Sequence, residues 1–388
     1  MTDSFIRRES PVPRGSTVPH DRAQIKWGSV TKSLTNRDKR WGDVVGKIRP
    51  IDVDPAAHDV LIGRIVQLSR HMGIELDNGR KAGLRQGDLV GLAFGHRYAT
   101  LQYDGEVPPM LPLYDMLSQG GVCGRVVAAA STMEAPTKIQ PMGYLLDERH
   151  EIVNLRRYAL RQFLNAPRVA TILVVGSSMD AGKTTMAASI IAGLTAAGKT
   201  VHAGKLTGTA CVKDLDAFTD AGAAFVLDFN HVGFASTFRA TTTELHTIGD
   251  TLISNLSAER PDFLVLEIAD GVIQQETRVL LTYLTTHQLV DYFCLAVQDA
   301  LAAPACLELL TREWGIHVTA ISGIATISAL STAELAGLVS PACLASNALA
   351  SPDIERLFGR VVGSGPKERG SILDVPDPVE TDRSVVDA

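Results

Sequence analysis

The stretch SSMDAGKTT (177–185) sets Lys183 between a glycine and two threonines. Those residue types at that spacing can grip a polyphosphate. Backbone N–H groups of such a loop, with the N-terminus of the helix that follows, face anionic oxygens, and the helix dipole favours their charge. Gly182 admits a close backbone approach, Lys183 reaches the β- and γ-phosphates, and the Thr184 hydroxyl can ligate Mg²⁺. The whole run Gly176, Ser177, Ser178, Met179, Asp180, Ala181, Gly182, Lys183, Thr184 and Thr185 is the expected nucleotide-binding loop. Ser177 stands where the consensus carries its first glycine, and Gly176 precedes it.

Two further stretches carry charge at the ends of apolar runs. In GKLTGTACVKDLDAF (204–218), Lys205 ends a short strand pattern, where open α/β sheets expose their ligand crevice. Asp214, Asp216 and Asp220 follow, and Asp214 is taken as a metal-side residue with Thr184 and Glu267, although spacing alone does not choose among the three. In RPDFLVLEIADG (260–271), Glu267 ends a buried-type run, and a carboxylate is costly to bury unless it is paired or metal-bound. Asp270 fits either a functional or a turn-capping role. Lys183, Lys205 and Glu267 are the expected catalytic set. His231, Ser236 and Thr237 in DFNHVGFAST (228–237) are weaker candidates for an acceptor site, while Trp27, Trp41, Arg97 and Tyr98 read as core or interface packing.

The elements that must position these residues follow from texture. From TILVVG (171–176) onward, β-branched apolar runs alternate with helical stretches, which implies a mainly parallel sheet with crossover helices. Residues 25–154 instead carry short strand patterns and Gly-Asp turns, with WGDVVGKI (41–48) and GDLVGLAFG (87–95) as examples. The segment 60–72 has apolar positions at helical spacing and reads as an inserted helix, against its β-branched content. The expectation is an α/β P-loop NTPase domain at 169–363, preceded by a smaller β-rich, barrel-like domain at 25–154 and a helical linker at 155–168. A mobile arm (1–24) and a flexible acidic tail (364–388) complete the chain.

Composition excludes several classes. Of the 388 residues, 45% are hydrophobic and 21% charged, ordinary for a globular protein, and the net charge of −6 makes nucleic acid an unlikely partner. Five scattered cysteines form no CxxC pair, as expected of reduced thiols, and no HExxH occurs. No window is apolar enough to span a membrane, and residues 1–24 lack a signal-peptide core, so a cytoplasmic protein is expected.

In GSSMDAGKTT, AGKLTG and LVLEIADG, taken in that order, the region from 169 to about 330 resembles dethiobiotin synthetase and its P-loop relatives. CLAVQDALAAPACLELLTREWGIHVTAISGI (294–324) is similar to that family's later strand–helix–strand. The resemblance implies ATP phosphates on Lys183 and Thr184, substrate and phosphate on Lys205, Mg²⁺ on Glu267, and a homodimer. Two departures bear on it: Asp270 stands where the family has glycine, and 25–154 has no counterpart. The leading expectation is therefore an ATP- and Mg²⁺-dependent ligase that activates a small-molecule carboxylate or carbamate for attack by an amine. A polynucleotide or small-molecule kinase, a nucleotide-driven switch or chaperone, and a coenzyme A-dependent acyltransferase are the alternatives. The sequence holds no N/TKxD element, which weakens GTP.

Overall fold

The computed structural model describes residues 25–35 and 48–359. The arm 1–24, the tail 364–388, Trp41 and most of the expected strand 41–48 lie outside the described residues.

The N-terminal half is built from strands β1 (Ile25–Trp27), β2 (Ile48–Arg49), β3 (Val60–Gln67), β4 (Gly73–Glu75), β5 (Lys81–Gly83), β6 (Leu89–Phe94), β7 (Tyr103–Glu106), β8 (Tyr114–Met116), β9 (Val122–Ala129) and β10 (Lys138–Leu145). Pairing runs β6–β3–β10–β8–β9, and β9 pairs back with β6, so the path returns to its start. The expected helix over 60–72 is a correction: Val60–Gln67 is a strand, antiparallel to both β6 and β10. Its two faces feed different cores, Val60 and Ile62 one and Leu61 and Ile65 the other, so no polar alternation marked it. β-Branched side chains fit that pleated, doubly buried position better than a helix.

The C-terminal half is a seven-stranded sheet: β11 (Ala170–Gly176), β12 (Val201–Lys205), β13 (Phe225–Asp228), β14 (Phe263–Glu267), β15 (Tyr292–Ala296), β16 (Val318–Ser322) and β17 (Ala342–Cys343). The order is β13-β12-β14-β11-β15-β16-β17, and every pairing is parallel. Along β11, Ile172 and Val174 enter the core under helix Lys183–Ala196, while Leu173 and Val175 enter the core on the other face. Both faces are covered, as the apolar strand runs require.

The halves share one core. Val30, Val60, Leu117 and Val122 cluster with Leu206, Phe229 and Phe234. Lys32 and Asp228 form a buried ion pair across the junction at 2.5 Å, and Asn230 Nδ2 donates to Val30 O at 2.9 Å. Burial works against the Asp228 carboxylate, but Lys32 and His231 outweigh it and hold its pKa below the ordinary carboxylate value. Glu75, on β4, accepts from the backbone N–H groups of Val212 and Lys213 at 2.8 and 3.1 Å, so a carboxylate from one half caps the first turn of a helix in the other. The expected linker is a single 3-10 turn, Leu155–Tyr158, followed by irregular chain. Its Arg156 stacks over the Phe234 ring at 4.0 Å and pairs with Glu244 at 2.5 Å. Cys123, Cys294 and Cys306 are buried free thiols, and Cys211 and Cys343 are half-buried. Among the described residues no helix is long and apolar enough to cross a membrane.

Candidate active site

A cavity of about 620 Å³ opens where the C-terminal ends of β11, β12 and β14 meet the N-terminal half. The phosphate loop supplies one wall. β11 ends at Gly176, the loop turns through Asp180 (φ 60°) and Gly182 (φ 94°), and helix Lys183–Ala196 begins at once. Of the ten loop residues expected from sequence, Met179, Asp180, Gly182, Lys183, Thr184 and Thr185 line the cavity. Gly176, Ser177, Ser178 and Ala181 do not; they build the loop. Ser177 Oγ accepts from Gln298 N at 3.1 Å, and Ala181 O accepts from Ile324 N at 3.1 Å. Gly176 has a separate role: a Cβ there would lie 2.8 Å from the Lys183 methylenes, so its bareness makes room for that side chain.

Lys183 is buried and donates from Nζ to Ser178 O at 2.7 Å. Burial pulls its pKa below the ordinary lysine value; Glu267 resists and Lys205 assists. The sheet register brings together the other two residues expected to be catalytic, because Lys205 on β12 is the direct parallel partner of Glu267 on β14. Lys205 Nζ lies 3.1 Å from Glu267 Oε1 and also ion-pairs with Asp214 Oδ2. Burial disfavours the Lys205 ammonium, yet the two carboxylates prevail and hold its pKa above the ordinary lysine range. Of the three aspartates left open by spacing, Asp214 lines the cavity and Asp216 and Asp220 do not.

The Thr184 hydroxyl donates to Glu267 Oε1 at 3.2 Å, while Glu267 Oε2 is buried without a hydrogen-bond partner. An orphaned carboxylate oxygen beside a hydroxyl is a hard-oxygen donor set suited to Mg²⁺, which typically takes one or two protein ligands and completes its shell with phosphate and water. Among the described residues no cluster of three or more His, Cys, Asp and Glu forms a metal site by itself. The donor set therefore fits a cation that arrives with a nucleotide.

The opposite wall is Gly208, Thr209, Ser236, Thr237 and Phe238, with Arg97 and Tyr98 from the N-terminal half. Ser236 and Thr237, weaker candidates from the sequence, thus line the same cavity as Lys183 and Lys205; the Thr237 hydroxyl accepts from Gly208 N at 2.9 Å. His231 is not in the cavity. It closes a capping box with Asp228, Nδ1 to Oδ1 2.7 Å apart. Trp27 is core, its ring packed on the bare Gly91. Arg97 and Tyr98 are the residues that sequence reasoning assigned to packing. Arg97 Nη2 donates to Gln102 Oε1 at 2.6 Å, but its buried Nε and Nη1 meet no acceptor, and burial brings its pKa down to about 10. Tyr98 packs against Phe238 with ring centroids 5.4 Å apart. Only their position just after β6 hinted at a site, and strand ends are too common to select them.

No protein-family model and no curated protein matches this sequence. Among solved structures, the chain is similar to the signal recognition particle receptor FtsY from Elizabethkingia anophelis, with 16% identity over 45% of this chain and 60% of that one, TM-score 0.30. It is similar to the signal recognition particle 54 kDa protein from Aeropyrum pernix in complex with GDP, with 16% identity over 50% and 46%, TM-score 0.34. It is similar to the cell division protein ftsY from Thermotoga maritima, with 15% identity over 51% and 72%, TM-score 0.32. The chain spans 60% and 46% of the length of the first two. None of the three is a dethiobiotin synthetase, and overlap this loose leaves function to the geometry of the site.

Proposed function

We propose that this protein is a Mg²⁺- and nucleoside triphosphate-dependent enzyme, with ATP the expected nucleotide, that phosphorylates a small-molecule carboxylate and delivers the acyl phosphate to an amine. One observation carries the reading. The buried lysines Lys183 and Lys205, the Thr184–Glu267 oxygen pair and a wall from the N-terminal half share one cavity of small-molecule size.

Each residue has a task under this reading. Lys183 exchanges its bond to Ser178 O for the β/γ-phosphate oxygens. Lys205, beside Glu267 and Asp214, would stabilise charge on the transferring phosphoryl group and hold the carboxylate that receives it. Thr184 and Glu267 would hold Mg²⁺, which would supply charge to neutralise the phosphates. Catalysis is then positioning and charge stabilisation. The test is release of nucleoside diphosphate by the purified protein with Mg·ATP or Mg·GTP, screened against pooled carboxylates and amines. Release should depend on one pool and vanish in Lys183→Ala. Release indifferent to every pool would remove the ligase.

A second reading, a nucleotide-driven switch, has its own observation. Ile273, Leu301, Ile327 and Leu330 are strongly exposed on the segments that follow β14, β15 and β16, the same edge of the sheet as the phosphate loop. A rim of that kind suits a protein partner or a second copy of the chain. Hydrolysis stimulated by a protein, with no small-molecule product, would favour it.

A further inference from the structure

Asp270 is a titratable cavity residue to which the reading above gives no task. It follows β14 at φ 65°, a conformation that L residues adopt rarely and Asp more readily than most. A glycine would sit there without strain. The usual reason for a turn aspartate is a hydrogen bond to nearby backbone, and Asp270 has none: among the described residues its carboxylate has neither a hydrogen-bond donor nor an ion-pair partner. It lines the cavity with Lys183, Lys205, Tyr98 and Ser236. The acidic function is therefore held, against conformational preference, facing the space where an acceptor must enter.

Its surroundings suit a proton carrier. Burial raises its pKa to about 6; Lys183 and Lys205 pull the other way, and Glu276 and Glu267 push with the burial. Glu276, also buried, is engaged by the Arg239 backbone N–H at 2.6 Å and by Gln274, and Tyr98 is the remaining titratable neighbour. Of the carboxylates around the cavity, Glu267 and Asp214 are paired with Lys205 and Glu276 with backbone, while Asp270, after β14, and Asp180, on the loop before helix Lys183–Ala196, have no such partner among the described residues.

We propose that Asp270 is the acceptor subsite: it binds a primary ammonium group and takes its proton, which makes the acceptor an amine and Asp270 the general base of the transfer step. The inference rests on the acyl-phosphate reading above. The balance is simple. The bound ammonium gives one proton to the Asp270 carboxylate and becomes a free amine. Its nitrogen lone pair forms the C–N bond at the acyl carbon as the C–O bond to phosphate breaks. The phosphate leaves with that electron pair and takes the second nitrogen proton, and Asp270 returns its own proton to solvent. A base with a pKa just below neutrality is ionised and ready at pH 7.

The experiment uses the full chain, Mg·ATP, and a panel of small mono- and dicarboxylates from acetate to adipate. The acceptor is either methylamine or hydroxylamine; the latter is largely unprotonated at neutral pH and needs no base. The readout is the amide-to-hydroxamate product ratio for the wild type, Asp270→Asn and Asp270→Gly. The ratio should fall at least about a hundredfold in both variants, the lower end of what a general base supplies, and raising the pH should restore amide formation in the variants as free methylamine accumulates. An unchanged ratio overturns the role of Asp270, whether the variants keep both products or lose both in parallel. If the wild type forms neither product with any carboxylate, the acyl-phosphate reading itself fails, and the role of Asp270 falls with it.

Discussion

Replacing Lys205 with methionine removes the cation that neutralises Glu267 and Asp214 while keeping most of the side-chain volume. The size of the effect follows from the geometry. Lys205 Nζ and Glu267 Oε1 are 3.1 Å apart, and Glu267 is 1% exposed. At an effective dielectric near 20, that separation corresponds to an attraction of about 5 kcal/mol. Breaking a buried pair by removing one partner typically costs ~3–5 kcal/mol, because the other charge is stranded. Total stability is commonly about 5–15 kcal/mol, so Lys205→Met should move the urea midpoint far enough to measure without difficulty. The continuous core across both halves predicts that the transition stays single. Adding Glu267→Gln to Lys205→Met removes the more deeply buried of the two stranded charges, Asp214 being 24% exposed, and should recover more than half of the loss. Magnesium should also stabilise the single variant more than the wild type, since a cation would replace the lost ammonium. A loss under about 1 kcal/mol, or one that the second substitution leaves untouched, would refute the pairing argument.

Three other outcomes are expected. Gly176→Ala places a Cβ against the Lys183 methylenes; nucleotide affinity, measured by calorimetry, should fall by roughly tenfold, or about 1.4 kcal/mol. His71 is buried with its pKa brought down to about 4, first by burial and then by Arg97. Its folded value thus lies below its unfolded one, so its contribution is complete above pH ~6.5 and is lost as pH falls towards 4. Stability should drop by up to about 3 kcal/mol per such histidine over that window, and His71→Phe should flatten the urea-derived slope by one proton. Asp228 follows the same sign: its depressed pKa predicts stability lost only in acid, and Asp228→Asn should abolish that part of the acid transition while weakening the protein at pH 7.

What the sequence exposed and what it hid have physical causes. The strand, turn and helix from Ala170 to Ala196 were legible because they are contiguous, so one window contains all three. Lys205 and Glu267 were legible singly, as charges ending apolar runs, but their contact depends on the β12–β14 register, which no local pattern encodes. Arg97 and Tyr98 were hidden because they reach the cavity from the N-terminal half, at the end of a path of non-local strand pairings. Val60–Gln67 was misread because both of its faces are buried, which erases the alternation that marks a strand. His231 drew attention as a loop histidine, yet its partner Asp228 three residues earlier makes it a cap.

The central claim is that phosphoryl transfer passes through a substrate carboxylate. The most direct test supplies the active carboxylate labelled with ¹⁸O, together with Mg·ATP and the amine, and weighs the released phosphate. Passage through an acyl phosphate predicts one ¹⁸O atom in each phosphate formed. Nucleoside diphosphate released at the same rate with unlabelled phosphate, every ¹⁸O remaining in the carboxylate, would contradict the account.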